Sequence, residues 1–259
     1  LQVLVIISSV YLDVLFAPIP TFPAIAGYCT GLLCAAGIRP YSVLGIFILL
    51  VVLVATAIMS CIFYRHQTII PASNSLRVSK KARLAIQILL PVIMGVIPVT
   101  YASYPFQVDG IVKMLKESPY KLAWILNRGP YFIHERGTVV LVLIFNVELY
   151  LIIFNSVLLF LFWHMFYVLR VSTTRSPASL RQVRRSLILL FVQITVPLAM
   201  IFLPAFLLFT SLICECIPFQ MTLPAYCVLT LHPLLHNIIL LSITPTYRRF
   251  IVATIRRIP

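Results

Sequence analysis

The chain has 259 residues, of which 61% are apolar and only 10% are charged, and its mean hydropathy is +1.06. Soluble domains are about 45–50% apolar and about 25% charged, so this composition excludes a soluble enzyme or binding module, and its many large apolar residues exclude a disordered chain. Lysine and arginine number 20 against 6 acidic residues, a net charge of +14. Because these bases fall between the apolar runs, they indicate membrane topology and not nucleic-acid binding.

Six long runs without lysine or arginine divide the chain. Each run is long enough to cross a bilayer as a helix, which takes about 20 apolar residues, whereas barrel strands are about 10 residues long and alternate polar with apolar positions. Only two carboxylates, Asp13 and Glu148, fall inside the runs. The sequence therefore predicts an all-α membrane protein with a single transmembrane domain over residues 1–259. Its predicted helices are, in chain order, residues 1–19, 41–64, 84–106, 138–169, 186–213 and 221–247.

The basic residues are distributed unevenly between the two sides of this predicted bundle. The loops 65–83 and 170–185 and the tail after Tyr247 contain fourteen of them and no acid. Basic loops stay in the cytoplasm, so six helices would place both chain ends inside. The chain begins at Leu1 within an apolar run, and we expect a further helix upstream, which would make seven and put the N-terminus outside.

The six cysteines divide into two groups. Cys61 and Cys227 lie inside apolar runs, where a cysteine usually acts as a small buried apolar side chain. The other four lie near the ends of runs, where a disulfide can form, but the sequence does not select the partners; these are Cys29, Cys34, Cys214 and Cys216. Their spacing is not that of a zinc site.

Three stretches together resemble the nematode chemosensory seven-helix receptors, most closely the serpentine receptor class H group and its relatives of the Str and Sri type. The first is Leu12-Asp13-Val14-Leu15 with the following Pro18, Pro20, Phe22-Pro23, Gly27-Tyr28 and Gly31-Leu32-Leu33. The second is Phe63-Tyr64-Arg65-His66, which ends an apolar run. The third and most specific is His232-Pro233-Leu234-Leu235-His236-Asn237 with Thr244-Pro245-Thr246-Tyr247-Arg248-Arg249-Phe250.

The resemblance implies a seven-helix bundle of the G-protein-coupled receptor type, of which six helices are present here and the first is expected upstream. It further implies small-molecule odorant or pheromone ligands, a heterotrimeric G protein as partner, no cofactor, and a multi-pass location in the plasma membrane of sensory cilia. The sequence departs from the family at Phe63-Tyr64-Arg65-His66, because relatives tend to place an acid or Asn beside the arginine.

The intramembrane polar residues are the candidates for a ligand site. Glu148 lies in the outer part of its predicted helix, and Asn155 follows two turns later on the same face; with Tyr101 and Tyr104 they form the predicted ligand-binding set. The alternative for Glu148 is a hydrogen bond between helices, worth about 0.6–2 kcal/mol. The stripe from Glu148 through Ile152 to Asn155 is expected to point inward.

A second set of polar residues is predicted to form a network between helices. Asp13 should face the bundle interior with a partner, because a carboxylate in the bilayer costs several kcal/mol, and Ser9 lies one turn before it. In the last run, His232, His236 and Asn237 lie near Pro233. Two histidines at i, i+4 can bind a metal, but no third ligand is evident, so a hydrogen-bonded network is predicted and no metal; plain packing is the alternative.

Basic residues at the inner side are the candidate contacts to a G protein. They are Arg65, at the inner end of its helix, and Arg181, Arg184 and Arg185. If their helix extends inward, Arg181 and Arg185 share one face. Orientation in the bilayer and attraction to anionic lipid explain the same residues without a protein partner. The tail from Tyr247 to Arg257 is predicted to form a short amphipathic helix on the inner leaflet.

Three other functions are weighed against a receptor. Nothing supports an enzyme, because the sequence has no GxSxG, phosphate-binding loop or HExxH motif. A transporter or channel usually has charges at the bilayer midplane, or broken helices with internal repeats. This sequence has two acids in its apolar runs and no repeat, so this function ranks second. The third alternative is a receptor remnant that lacks its first helix and does not signal.

Overall fold

In the computed structural model, the residues that the structure describes are 2–22, 24–103, 122–134, 137–171, 176–214, 217, 219–243 and 253. Most of them lie in helices. These are α1 (Gln2–Val10), continued by a π-helical turn (Tyr11–Phe16), α2 (Leu32–Ala35), α3 (Pro40–Ile69), α4 (Lys80–Met94), α5 (Val96–Ser103), a 3-10 helix (Leu122–Asn127), α6 (Thr138–Val171), α7 (Pro177–Cys214) and α8 (Phe219–Ile243).

Four helical segments of the described chain are long and apolar enough to cross a membrane: Pro40–Ile69, Lys80–Tyr101, Thr138–Val171 and Pro177–Cys214. They fall on the second to fifth predicted runs. The segment Val3–Phe16 is a shorter apolar helix. In the last predicted run the structure has α8, and residues 244–247 lie outside the described part of the chain.

The first predicted helix ends earlier than the sequence suggests. Residues 1–19 were expected to be helical, but the helical turn ends at Phe16, and Ala17 is left-handed with φ +42°. The physical reason lies in Pro18, because a proline disfavours the helical conformation in the residue before it. The chain then turns into a strand.

The third and fifth predicted helices also have different bounds. The third begins at Lys80, capped by Ser79, and is interrupted at Gly95 between α4 and α5. Pro91 lies inside α4 and removes one backbone donor. The prediction of a loop over 170–185 is wrong for its second half, because α7 begins at Pro177 and continues through the arginines. Arginine is a good helix former, so charge ends the apolar run without ending the helix.

A small antiparallel sheet joins two connecting segments at one end of the bundle, and the sequence did not predict it. Strand β1 (Pro18–Pro20) pairs with β2 (Ala26–Cys29), and β2 pairs with β3 (Tyr131–Ile133). Gly27 faces Phe132 in the register, and a Cβ at Gly27 would lie 2.6 Å from that ring. Only glycine permits this approach of the two strands.

Disulfide pairing is settled for one pair. Cys29, at the end of β2, is bonded to Cys34 in α2, and Cys214 is also disulfide-bonded. Cys61 and Cys227 are free, as expected for cysteines inside apolar runs, although Cys227 is exposed and not buried. The disulfide lies in the same connecting region as the sheet, and we call this the sheet end of the bundle.

The core packs in separate clusters along the bundle. At the sheet end, Phe16 is fully buried and packs with Tyr11, Val43 and Phe132. At the opposite end, where the basic segments lie, α3, α6 and α7 pack together through the buried side chains of Ile62, Leu158, Phe162, Met165 and Leu187. We call this the basic end.

Candidate functional site

Glu148 joins α6 to α7 near the sheet end. It lies about three turns into α6, its side chain is buried, and its Oε1 accepts a hydrogen bond of 2.6 Å from the Thr210 hydroxyl of α7. Thr210 lies about one turn before α7 ends at Cys214. Sequence reasoning identified Glu148 but not Thr210. The one indication of Thr210 in the sequence is that it is a polar residue within an apolar run.

The polar stripe predicted beyond Glu148 does not point into the bundle as a whole. Ile152 is 42% exposed, so the expectation that it points inward is wrong. Asn155 is half-buried, and its amide nitrogen donates to the Leu151 carbonyl of its own helix at 2.8 Å. The buried face of α6 passes through Val140, Ile144 and Glu148 and resumes at Leu158. Helix α6 has 34 residues and packs against different neighbours along its length. The side of the helix that is buried therefore changes between Glu148 and Leu158, and Ile152 lies outside it.

Aromatic and imidazole rings form a second polar cluster at the sheet end. The Tyr41 hydroxyl donates to the Ile133 carbonyl at 2.7 Å, and the Tyr101 hydroxyl lies 3.4 Å from Nε2 of His134. The rings of Tyr41 and Tyr101 both contact the His134 ring. Of the two predicted tyrosines, Tyr101 belongs to this cluster, and Tyr104 lies outside the described residues. Glu148 bonds Thr210 instead, so the residues predicted to bind the ligand lie in two separate clusters.

His134 is the titratable group of this cluster that lies in a connecting segment. Burial lowers the pKa of His134 from 6.5 to about 4, and a hydrogen bond to the Ile25 backbone opposes part of that decrease. The imidazole is therefore neutral at physiological pH, and it can both donate and accept hydrogen bonds. Sequence analysis missed His134, because it lies between the predicted helices.

The predicted network around Asp13 differs from the one in the structure. The prediction that Asp13 faces the interior is wrong, since its side chain is exposed while Tyr11, Leu12 and Phe16 are buried. The π-helical turn explains this, because a widened turn shifts which residues face inward. Ser9 donates to the Val5 carbonyl of its own helix.

Asp13 nonetheless has an electrostatic partner in α8. It interacts with His232, whose Nδ1 lies 2.6 Å from the Leu229 carbonyl. Asn237 is exposed, and the side chain of His236 lies outside the described part of the structure. Of the predicted network, the structure therefore brings Asp13 and His232 within electrostatic range of each other, while Ser9 bonds its own helix and Asn237 is exposed.

A buried histidine pair joins α3 to α6 at the basic end. Nε2 of His66 lies 2.8 Å from Nδ1 of His164, and the two side chains are 2% and 7% exposed. Gln67 continues the pair, since its amide nitrogen lies 3.2 Å from Nδ1 of His66. The Gln67 side chain also bonds the backbone of Leu76 and Val78 at 3.1 and 3.0 Å, so it ties the helix end to the loop that precedes α4.

This pair includes the residue that follows Arg65 in the Phe63-Tyr64-Arg65-His66 motif. The sequence motif Phe63-Tyr64-Arg65-His66 contains His66, but only Arg65 of that motif was predicted to have a function, and His164 was not identified. The sequence contains little indication of His164, because it is a single imidazole in the apolar stretch Phe160-Leu161-Phe162-Trp163-His164. Only the fold shows that the two histidines meet.

Arg65 lines a cavity of about 480 Å³ between α3 and α7 at the basic end. The polar side chains around it are Thr68, Gln182, Ser186 and Gln193. Because α7 extends to Pro177, Arg181 and Arg185 lie one turn apart on one helix face. The side chains of Arg181, Arg184 and Arg185 are exposed, and the predicted tail helix lies outside the described residues.

Among the described residues, no group of three or more His, Cys, Asp or Glu side chains could hold a metal ion. The polar groups of the bundle are instead arranged in small hydrogen-bonded sets at the two ends. Two of these sets, Glu148 with Thr210 and His66 with His164, are contacts between helices.

The comparisons with known proteins identify the family. The model of the serpentine type 7TM GPCR chemoreceptor Srh family matches residues 1–257. No curated protein and no solved structure matches the chain significantly. The match covers nearly the whole sequence and agrees with the apolar helices of the structure, so the predicted resemblance and the all-α membrane fold are both confirmed. The chain therefore belongs to the Srh family of serpentine seven-transmembrane chemoreceptors.

Proposed function

We propose that this receptor detects a small-molecule odorant or pheromone between the outer parts of its helices and signals to a heterotrimeric G protein at its basic end. The observation that carries the proposal is the hydrogen bond between the buried Glu148 of α6 and Thr210 of α7. A buried carboxylate held by one neutral hydroxyl is a strong acceptor for a polar or amine group that enters from the sheet end. The receptor would reside in the plasma membrane of sensory cilia.

Ligand binding would act through α7. Helix α7 carries Thr210 near the sheet end, and its other end lines the cavity that contains Arg65. A ligand that competes with Thr210 for Glu148 changes the contact between α6 and α7. The ligand shifts the receptor toward the active arrangement only by as much as it binds that arrangement more tightly.

The histidine pair would hold the inactive arrangement at the basic end. His66 and His164 tie α3 to α6, while the Arg65 cavity lies between α3 and α7. Loss of the histidine contact would let α3 and α6 separate and enlarge the surface that a G protein can reach. Arg65, Arg181, Arg184 and Arg185 would supply the positive charge that this partner meets.

A ligand screen with a second-messenger readout tests the proposal. Cells that express the full chain are compared with cells that express Glu148→Gln and Asn146→Gln, at equal surface amounts. Asn146 is a matched control on α6, because its side chain is only half-buried and, among the described residues, bonds the Val142 carbonyl of its own helix. We expect active ligands to lose potency on Glu148→Gln and to keep it on Asn146→Gln.

Other outcomes decide between the alternatives. Unchanged responses of Glu148→Gln to every active ligand would refute the role of its charge. Ligand-evoked current in cells that lack G proteins would favour a transporter or channel. Absence of the chain from the cell surface, with recovery when an upstream helix is added, would identify a remnant that does not signal by itself.

A further inference from the structure

A second cavity at the basic end is lined almost entirely by polar and basic side chains. Its volume is about 270 Å³, and its lining includes Gln67, Arg77, Ser79, Lys80 and Arg83. The segment 65–83 contains no acid, so its own sequence supplies no carboxylate to neutralise these three cations. The cavity lies beside the start of α4, which begins at Lys80.

The walls of this cavity are held by contacts to neighbouring elements. One nitrogen of Arg77 donates to the Ile70 carbonyl at 2.9 Å, and the guanidinium carbon of Arg83 lies 5.5 Å from the centre of the Tyr64 ring. Each contact uses only part of a guanidinium, which has five N–H donors. Both arginines therefore keep donors for a further acceptor, and their charges are held in place before a ligand arrives.

An exposed apolar stripe continues from the cavity along α4. Leu84, Ile88 and Val92 follow Lys80 at intervals of four residues, and these three side chains are 59%, 59% and 62% exposed. Residues at i, i+4 and i+8 lie on one helix face, so Lys80 lies at the N-terminal end of this stripe. In a membrane-spanning helix such a face is in contact with acyl chains.

From this arrangement we propose that the cavity binds the headgroup of an inositol phospholipid that carries phosphomonoester groups, with its acyl chains along the α4 stripe. A lipid with a single phosphodiester presents one negative charge, whereas three converging cations match a headgroup with several. Arginine binds phosphate oxygens through two parallel N–H donors, and basic pockets on the cytoplasmic side of membrane helices bind such headgroups. The stripe places the acyl chains, which makes the source a lipid and not free phosphate.

Binding at this site would also stabilise the histidine pair. Gln67 lines the cavity, and its amide nitrogen lies 3.2 Å from His66. A headgroup that fixes the loop around Gln67 therefore steadies the His66–His164 contact. The site itself is independent of which ligand or G protein the receptor uses.

The test compares two adjacent lysines in the full chain. Both lysines are exposed, but only Lys80 is among the residues that line the cavity. The wild type, Lys80→Gln and Lys81→Gln are placed in phosphatidylcholine nanodiscs that contain either phosphatidylinositol 4,5-bisphosphate or phosphatidylserine at equal total charge. Lipid bound to the protein is measured by mass spectrometry after release from the nanodisc. Inositol trisphosphate is added as a soluble competitor.

We expect the bisphosphorylated lipid to be enriched over phosphatidylserine on the wild type. Lys80→Gln should weaken its binding about fivefold, the effect of one basic residue near an anionic surface, and Lys81→Gln by less than twofold. Equal loss in the two variants, or equal binding of both lipids at matched charge, would overturn the proposal in favour of general surface attraction. Displacement by inositol trisphosphate at the affinity of the whole lipid would overturn the role of the apolar stripe.

Discussion

His164→Phe should raise signalling in the absence of ligand, because it removes the partner of a buried imidazole. His66 is 2% exposed and its Nε2 lies 2.8 Å from Nδ1 of His164. An unpaired buried polar group costs about 1–3 kcal/mol, and hydrogen bonds between membrane helices contribute about 0.6–2 kcal/mol. If the contact is specific to the inactive arrangement, a loss of about 1 kcal/mol multiplies the ratio of active to inactive receptor about fivefold.

The assay is the second-messenger level without ligand, measured at equal surface expression. Ser156→Ala is the matched control, since this α6 hydroxyl is exposed and donates to Ile152 of its own helix; it should leave the level unchanged. Thermal unfolding in detergent should show His164→Phe as less stable than the control. Replacing both histidines with phenylalanine should recover part of the stability without restoring the low basal level, because no imidazole is then left unpaired and the Gln67 amide nitrogen keeps its bond to the Leu76 carbonyl.

Two results would refute this reasoning. Additive effects of the two single variants on stability would mean that His66 and His164 do not interact. A destabilised His164→Phe receptor with an unchanged basal level would mean that the pair supports folding in both arrangements and does not select one.

Three further predictions concern the sheet end. Thr210→Val should weaken thermal stability by about 1 kcal/mol, by leaving Glu148 without its hydroxyl donor; an unfolding temperature equal to that of the wild type would contradict this. Cys34→Ser should lower stability by about 2 kcal/mol, because the Cys29–Cys34 bond closes a loop over a separation of 5 residues; denaturant unfolding measures it, and no change would refute it. The pKa of His134 falls from 6.5 to about 4 on folding, so below about pH 6.5 the unfolded chain binds a proton that the native imidazole does not, and stability decreases as the pH falls toward 4. The slope should be smaller in His134→Gln, and an equal slope would show that another group controls it.

Most of the fold could be predicted from the sequence, because a segment that crosses lipid must satisfy its own backbone hydrogen bonds and therefore forms a helix. The long apolar runs around residues 41–64 and 138–169 therefore identified α3 and α6 closely, and the helical ends differ by only a few residues. The small sheet was missed because its strands, such as Pro18–Pro20 and Tyr131–Ile133, have three residues each. Such short strands form through pairing between distant segments, and no local pattern encodes that pairing.

The site was predicted only in part for a similar reason. Glu148 was recognisable because a carboxylate in an apolar run needs a partner, and it has one. His164 was not recognised, since a neutral imidazole among aromatic residues resembles ordinary packing until the fold brings it to His66. Asp13 was misplaced because helix-face reasoning assumes a constant 3.6-residue turn, and the chain widens at Tyr11–Phe16.

The proposed signalling requires the basic end of the bundle to lie in the cytoplasm, where a G protein can reach it. Cysteine labelling in intact cells measures this directly, with a membrane-impermeant reagent and with Cys61 and Cys227 replaced by serine. Asn127→Cys, at the sheet end, should be labelled from outside, whereas Arg184→Cys should react only after permeabilisation. Labelling of Arg184→Cys in intact cells would contradict the orientation and the proposed signalling with it.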